Sequence, residues 1–210
     1  MSADTPAEPF RILVVCTGNI CRSPVAEALL RSALGRVAAA SGDSGWLAIE
    51  VSSGGTMAMV GRPIEPAMAA ALGATELEAS GHVASQVDRD RIAGADLVLG
   101  LAREHRRDLV AMLPSASRRI FTLGEFARLL EDAADAGTIE LADGATSVIA
   151  AAADAAAMRR GFAIAPDDPT VDDVIDPYGR SPDVYASSAS TIQELVHRIE
   201  RVLLTQVVAA

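Results

Sequence analysis

Apolar residues fall along this chain in alternating strand-like and helix-like rhythms. A continuous apolar run over Arg11–Cys16 suits a strand buried on both faces of a parallel sheet. From Ser23 to Ala38, Val25, Ala28, Leu29, Ala33 and Val37 recur at helical spacing, with Pro24 at a favoured first-turn position. A second strand is predicted over Trp46–Ser53, a proline-started helix near Pro63–Leu72, a third strand over Asp96–Leu101 and a helix over Arg103–Met112. A fourth strand follows at Arg118–Leu123, then a helix at Gly124–Ala133. The clearest helix is the last, within 182–207, where Ile192, Leu195, Val196, Ile199, Val202 and Leu203 share one face. Four strands separated by helices predict an α/β fold, a three-layer sandwich around a four-stranded parallel sheet. Ligands of such sheets bind beyond the carboxyl ends of the strands, where the loop after Cys16 lies.

Residues 134–172 interrupt this rhythm. The segment is rich in Ala and Asp, with a helix predicted near Ser147–Arg160 and a turn at Ala165-Pro166-Asp167-Asp168-Pro169. It reads as a surface insertion; a lid or partner-docking element is the sharper alternative. Residues 1–210 read as a single domain, with 1–10 as a flexible tail.

Composition changes the picture in two ways. With 50% hydrophobic but only 3% aromatic residues, the core is expected to be Ala, Val, Leu and Ile. A net charge of −10 argues against nucleic acid or an anionic membrane as partner, so any affinity for phosphate must arise locally. Two cysteines are too few for a disulfide framework. Residues 1–10 lack a signal-peptide pattern and no run is apolar enough to span a bilayer, which predicts a cytoplasmic protein.

The local site is legible in Cys16-Thr17-Gly18-Asn19-Ile20-Cys21-Arg22-Ser23-Pro24. A strand–loop–helix joint aims free backbone N–H groups into the loop and adds the positive end of a helix dipole. Gly18 and Asn19 tolerate the left-handed backbone that a nest of N–H groups needs. Arg22 supplies a planar fork for two oxygens of one phosphate. Such a field favours the thiolate of Cys16, a competent nucleophile. A strand-end cysteine commonly does no more than close a strand, but the five residues between Cys16 and Arg22, with Gly-Asn among them, favour the chemical reading. Transfer through cysteine also needs an acid for the leaving oxygen. Asp176, in Val174-Ile175-Asp176-Pro177-Tyr178-Gly179, is the candidate; Pro177 restrains its loop and Tyr178 is placed to wall a pocket. Asp-Pro is also a common turn dipeptide.

At these residues the chain resembles the low-molecular-weight protein tyrosine phosphatases. Cys16–Pro24 matches that family's active-site signature and Asp176-Pro177-Tyr178 its general-acid loop. Ser53-Gly54-Gly55-Thr56, Gly61-Arg62 and Gly81-His82 are weaker matches between them. The resemblance spans roughly 11–130 and 171–207, and the insertion with Asp-Pro-Tyr-Gly-Arg-Ser-Pro looks most like an actinobacterial branch. It implies that Cys16 attacks phosphorus and forms a cysteinyl-phosphate. Arg22 and the loop Thr17, Gly18, Asn19, Ile20 and Cys21 would hold the oxygens, and Tyr178 would line the substrate pocket. Asp176 would protonate the leaving group and then activate water, while Ser23 would hydrogen-bond the thiolate. Asn19, Ser53 and His82 match a polar network that fixes the loop. The implied substrate is a phosphorylated protein or a small aryl phosphate, with no cofactor and no metal.

Other positions divide between two readings. Cys21 is either a small loop filler or, by resemblance, a reversible disulfide partner of Cys16. His105 and His197 fall among charged residues of predicted helices and are expected to be solvated. In His82-Val83-Ala84-Ser85-Gln86 an arginine found in many relatives is absent, and Met57-Ala58-Met59-Val60 lacks an aromatic wall; Met59 is either its replacement or a core methionine. Three alternative functions remain. An arsenate reductase of this scaffold needs later cysteines, and none follows Cys21. Protein-arginine phosphatases carry threonine where Ile20 stands, although Thr17 and Gly179 keep that reading open. A non-catalytic phosphate-binding protein needs neither Cys16 nor Asp176.

Overall fold

Strand β1 (Arg11–Cys16) has no exposed residue after Arg11, as a strand covered on both faces requires. In the computed structural model, which describes residues 9–73, 81–140 and 144–209, β1 pairs in parallel with β2 (Glu50–Gly55) and β3 (Leu97–Gly100). Strand β4 (Ile120–Thr122) pairs with β3, giving the order β2-β1-β3-β4. The described helices are α1 (Arg22–Ser41), α2 (Pro66–Ala71), α3 (Arg89–Ala93), α4 (Arg103–Met112), α5 (Leu123–Asp135), α6 (Ala145–Arg159) and α7 (Pro182–Ala209). Alternate strand residues face opposite sides. Ile12 and Val14 enter a core with α1, α5, α6 and α7, while Leu13 and Val15 meet Ile92 of α3 and Leu109 of α4. This is the expected three-layer α/β sandwich. Because β1 has β2 on one side and β3 on the other, the chain reverses its winding there, and a crevice opens beyond Cys16.

Local chemistry moves several predicted boundaries. Trp46–Ala48 forms part of a 3-10 turn rather than the start of β2: the Asp43 carboxylate accepts from the Gly45 N–H at 2.8 Å, and the turn buries Trp46. Helix α3 breaks no hydrophobic rhythm and escapes detection; Asp88 caps it by accepting from Arg91 N at 2.9 Å. Of the expected tail, residues 1–8 lie outside the described residues, and Phe10 is already buried in the core. No described helix is long and apolar enough to cross a membrane.

The segment 134–172, of which 141–143 lie outside the described residues, is not a surface appendage. Helix α6 buries Val148, Ile149, Ala152 and Ala156 in the main core. Asp43 accepts from its Ala145 N–H, Arg159 pairs with Asp132, and Arg160 donates to Ile120 O at 2.9 Å while lying 4.0 Å over the Phe121 ring. No described residue of the segment lines the Cys16 crevice.

His105 is the second correction. His197 is exposed as expected, but His105 is only 1% exposed. It stands four residues before Leu109, and the two form the buried stripe of α4. Burial, then the nearby Arg22 guanidinium, push its pKa from 6.5 down to about 4, against weaker upward effects of Asp176, Asp108 and Asp173.

Two outcomes are expected. Ile149→Ala should lower the unfolding free energy by about 2–5 kcal/mol, as for a core side chain, and a loss under about 0.5 kcal/mol in urea titration would make α6 peripheral. The unfolded chain protonates His105 near pH 6.5 and the folded chain only near pH 4, so stability falls as pH drops through that window, by roughly 3 kcal/mol. Urea midpoints between pH 7 and 4 should decline more steeply for the wild-type protein than for His105→Gln, and parallel declines would contradict the assignment.

Candidate active site

The loop between β1 and α1 turns its carbonyl groups outward. Cys16 O accepts from Thr56 N at 2.9 Å, Thr17 O from Met57 N at 3.0 Å, Gly18 O from Met59 N at 2.9 Å and Ile20 O from Glu65 N at 2.8 Å. The carbonyl of Asn19 accepts from His82 Nε2 at 2.8 Å. Five consecutive carbonyls are thereby satisfied by the 56–65 and 82 segments. Among the described residues, none of the amides of Thr17, Gly18, Asn19, Ile20 and Cys21 donates to a protein acceptor. Cys21, the N-cap of α1, offers no side-chain cap, so the helix start is open to an anion as well.

Asn19 locks this shape. It takes the left-handed backbone, with φ of 54°, whereas Gly18 does not need it. Its Nδ2 donates to Ser23 Oγ and Ser53 Oγ, both at 2.9 Å, and its Oδ1 accepts from Ser85 N at 2.8 Å. The Asn19 amide donates to Ser23 Oγ, which leaves the serine hydrogen to choose between Cys16 Sγ at 3.0 Å and Gly54 O at the longer 3.4 Å. Gly55 permits the close approach of the loop: a Cβ there would stand 2.4 Å from Thr17 O.

Arg22 is 3% exposed and faces the same crevice. Its Nη1 donates to Val174 O at 3.2 Å, its Nη2 meets Asp176 Oδ2 at 2.9 Å, and its buried Nε has no partner. Leaving a buried charged donor unpaired costs about 1–3 kcal/mol or more, a cost that a bound oxyanion removes. The crevice, about 230 Å³, is lined by Cys16, Thr17, Gly18, Ile20, Cys21 and Arg22 from the loop. Met57, Met59, Asp176 and Tyr178 complete its walls. Asp176 is half exposed, and its Oδ1 accepts from Tyr178 N at 3.2 Å in a tight turn. Cys16 and Cys21 are both free thiols. Burial, reinforced by Cys16, pushes the Cys21 pKa up to about 12, which keeps Cys21 a neutral thiol.

The structure thus gathers every residue singled out around the loop, from Cys16 to Ser23 with Ser53, His82, Asp176 and Tyr178. It adds others that local pattern does not signal. His105 Nε2 lies 3.0 Å from Thr17 Oγ1, and Arg91 donates to Ser53 O and Ser85 Oγ, bringing a guanidinium to the segment that lacks its own arginine. Asp173 binds Arg103, Asp172 binds Arg128, and Val174 N donates to Leu101 O, tying the Asp176 loop to β3 and its flanking helices. Tyr185 Oη accepts from Gly179 N at 3.2 Å behind it.

Comparisons with known proteins agree with this geometry. Residues 11–143 match the family model described as low molecular weight phosphotyrosine protein phosphatase, a match that ends before Asp176. A probable low molecular weight protein-tyrosine-phosphatase, EpsP of Ralstonia solanacearum, is 38% identical over 54% of this chain and 70% of its own length. A protein-arginine-phosphatase of Bacillus subtilis is 27% identical over 91% of this chain and 95% of its own. Among solved structures, the YwlE arginine phosphatase of Geobacillus stearothermophilus superposes with a TM-score of 0.61 at 25% identity, covering 96% and 97% of the two chains. With its active-site loop inside the matched region, this chain belongs to the low molecular weight phosphotyrosine protein phosphatase family.

Proposed function

We propose that this chain hydrolyses phosphomonoesters, aryl phosphates of the phosphotyrosine kind above all, through a cysteinyl-phosphate on Cys16. The observation that carries the reading is the set of donors without a protein acceptor that follow one cysteine into a shared crevice: the five loop amides and the Arg22 Nε, with Cys16 among the lining residues. The amides and the Arg22 fork hold the equatorial oxygens, where charge develops in the transition state. Cys16 Sγ forms the S–P bond as the P–O bond to the leaving group breaks, and Asp176, in its protonated form, gives that oxygen a proton. Water then attacks phosphorus, the S–P bond breaks, and the proton released from water returns to Asp176. Ser23, donating to Sγ, steadies the departing thiolate.

The walls favour an aryl ester over a phosphorylated guanidinium, although relatives bear both names. Ile20, Met57, Met59 and Tyr178 offer apolar and polarizable surface to a ring. Asp176 is the carboxylate among the lining residues, and it is already paired with Arg22.

Cys16→Ser should reduce hydrolysis of an aryl phosphate to background while phosphate still binds; full turnover would end the cysteine mechanism. Asp176→Asn should lower kcat by about 10²–10⁴-fold for poor leaving groups and far less for good ones. A rate loss independent of leaving group would remove Asp176 from the acid role. Rates on phosphotyrosine and phosphoarginine peptides, measured side by side, should favour phosphotyrosine, and the reverse order would overturn the substrate class.

A further inference from the structure

His105 is a buried titratable group that the chemistry above does not use. Its Nε2 stands 3.0 Å from Thr17 Oγ1, and the same hydroxyl is 3.5 Å from Arg22 Nη2. Its Nδ1 is buried with no partner. Two tautomers compete. Were Nε2 the acceptor, the Thr17 hydrogen would be consumed on His105, and Nδ1–H would be a buried donor without an acceptor. Two features favour hydrogen on Nε2 instead. Glu104 Oε1 lies 3.7 Å from Nε2, and a carboxylate there favours an N–H. His105 also sits in the first turn of α4, where the positive helix end favours a lone pair over a second N–H.

Arg22 is able only to donate, so in this arrangement the Thr17 oxygen receives both neighbours and keeps its own hydrogen free. Thr17 lines the crevice. We infer that His105 is a positioning residue for the Cys16 site: its Nε2–H holds Thr17 Oγ1 so that the Thr17 hydroxyl turns its hydrogen into the crevice, as a further neutral donor to a bound phosphate. The inference rests on the crevice being an oxyanion site, as proposed above. Burial and Arg22 keep the imidazole neutral at ordinary pH, and neutrality is what this role needs. A cation at His105 would repel Arg22.

The test separates this role from simple filling of the core. His105→Gln retains an amide N–H at the end of a side chain of similar reach, and His105→Met fills the space without a donor. Each is made in the wild-type and in the Thr17→Val background, and the dissociation constant of inorganic phosphate is measured by calorimetry at pH 7. One lost hydrogen bond corresponds to about a fivefold change. His105→Met should weaken phosphate binding by about that factor, His105→Gln should restore most of it, and in the Thr17→Val background the two should be equal. Equal affinities for the Met and Gln variants with Thr17 present would overturn the inference. So would a loss of the same size without Thr17. The measurement needs no turnover, so a wild-type protein that binds phosphate yet hydrolyses no phosphomonoester defeats the proposed function and not this role. A wild-type protein that binds no phosphate defeats both.

Discussion

The rest of this structure depends on one constraint: the carbonyl groups of Cys16, Thr17, Gly18, Asn19 and Ile20 must all be satisfied on the outer side of their loop. A backbone carbonyl left unpaired in such a place carries a desolvation cost of about 1–3 kcal/mol. Five of them pointing inward would also repel any anion. Donors from the 56–65 segment and from His82 meet each one, and the loop amides are left to face the crevice. The proposed anion site is therefore made by what lies behind it, not only by the residues that line it.

That arrangement explains several residues that touch no substrate in the proposed reaction. Gly55 brings β2 against Thr17 O, within a distance that excludes any side chain. Asn19 ties the loop to Ser23, Ser53 and Ser85 in one buried network, and Arg91 holds the far side of that network through Ser53 O and Ser85 Oγ. On the opposite wall, Arg22 reaches both Val174 O and Asp176, so the loop bearing the carboxylate is anchored on the same guanidinium that lines the crevice. Ion pairs of Asp172 with Arg128 and of Asp173 with Arg103 complete the anchorage. Part-buried pairs that also cap or bridge elements fix position more than they add stability.

Local pattern made the sheet, the Cys16–Arg22 loop and the C-terminal helix legible, because each is encoded by neighbours in sequence. Buried strands show as continuous apolar runs, and the loop shows as a fixed spacing of Cys, Gly-Asn and Arg. What escaped is set either by a local cap that leaves no apolar rhythm or by contacts distant in sequence. Helix α3 is a single capped turn without apolar period. Trp46 looks like the first residue of a strand and becomes the buried side of a turn because of one carboxylate at Asp43. His105 sits among charges in sequence, yet the stripe it shares with Leu109 turns it inward, toward Thr17 on β1's loop, 88 positions earlier. Helix α6 was legible as a helix near Ser147–Arg160, but its burial was not, because its alanine-rich faces give no strong apolar stripe to mark the side that packs into the core.

A chain of net charge −10 that handles phosphate must concentrate its positive potential in one place. Here that place is a single buried guanidinium and the open amides around it. Dipoles of the backbone add no net charge, so they raise local potential without a second cation to be neutralised. Arg22 spends part of its fork on Asp176 in this structure. A phosphate entering the proposed site competes with Asp176 for that fork. In the proposed reaction, phosphate binding and the placement of the Asp176 carboxylate are thus linked through one nitrogen of Arg22. A lysine at this position would lack the second arm that keeps hold of Val174 O while the other changes partner.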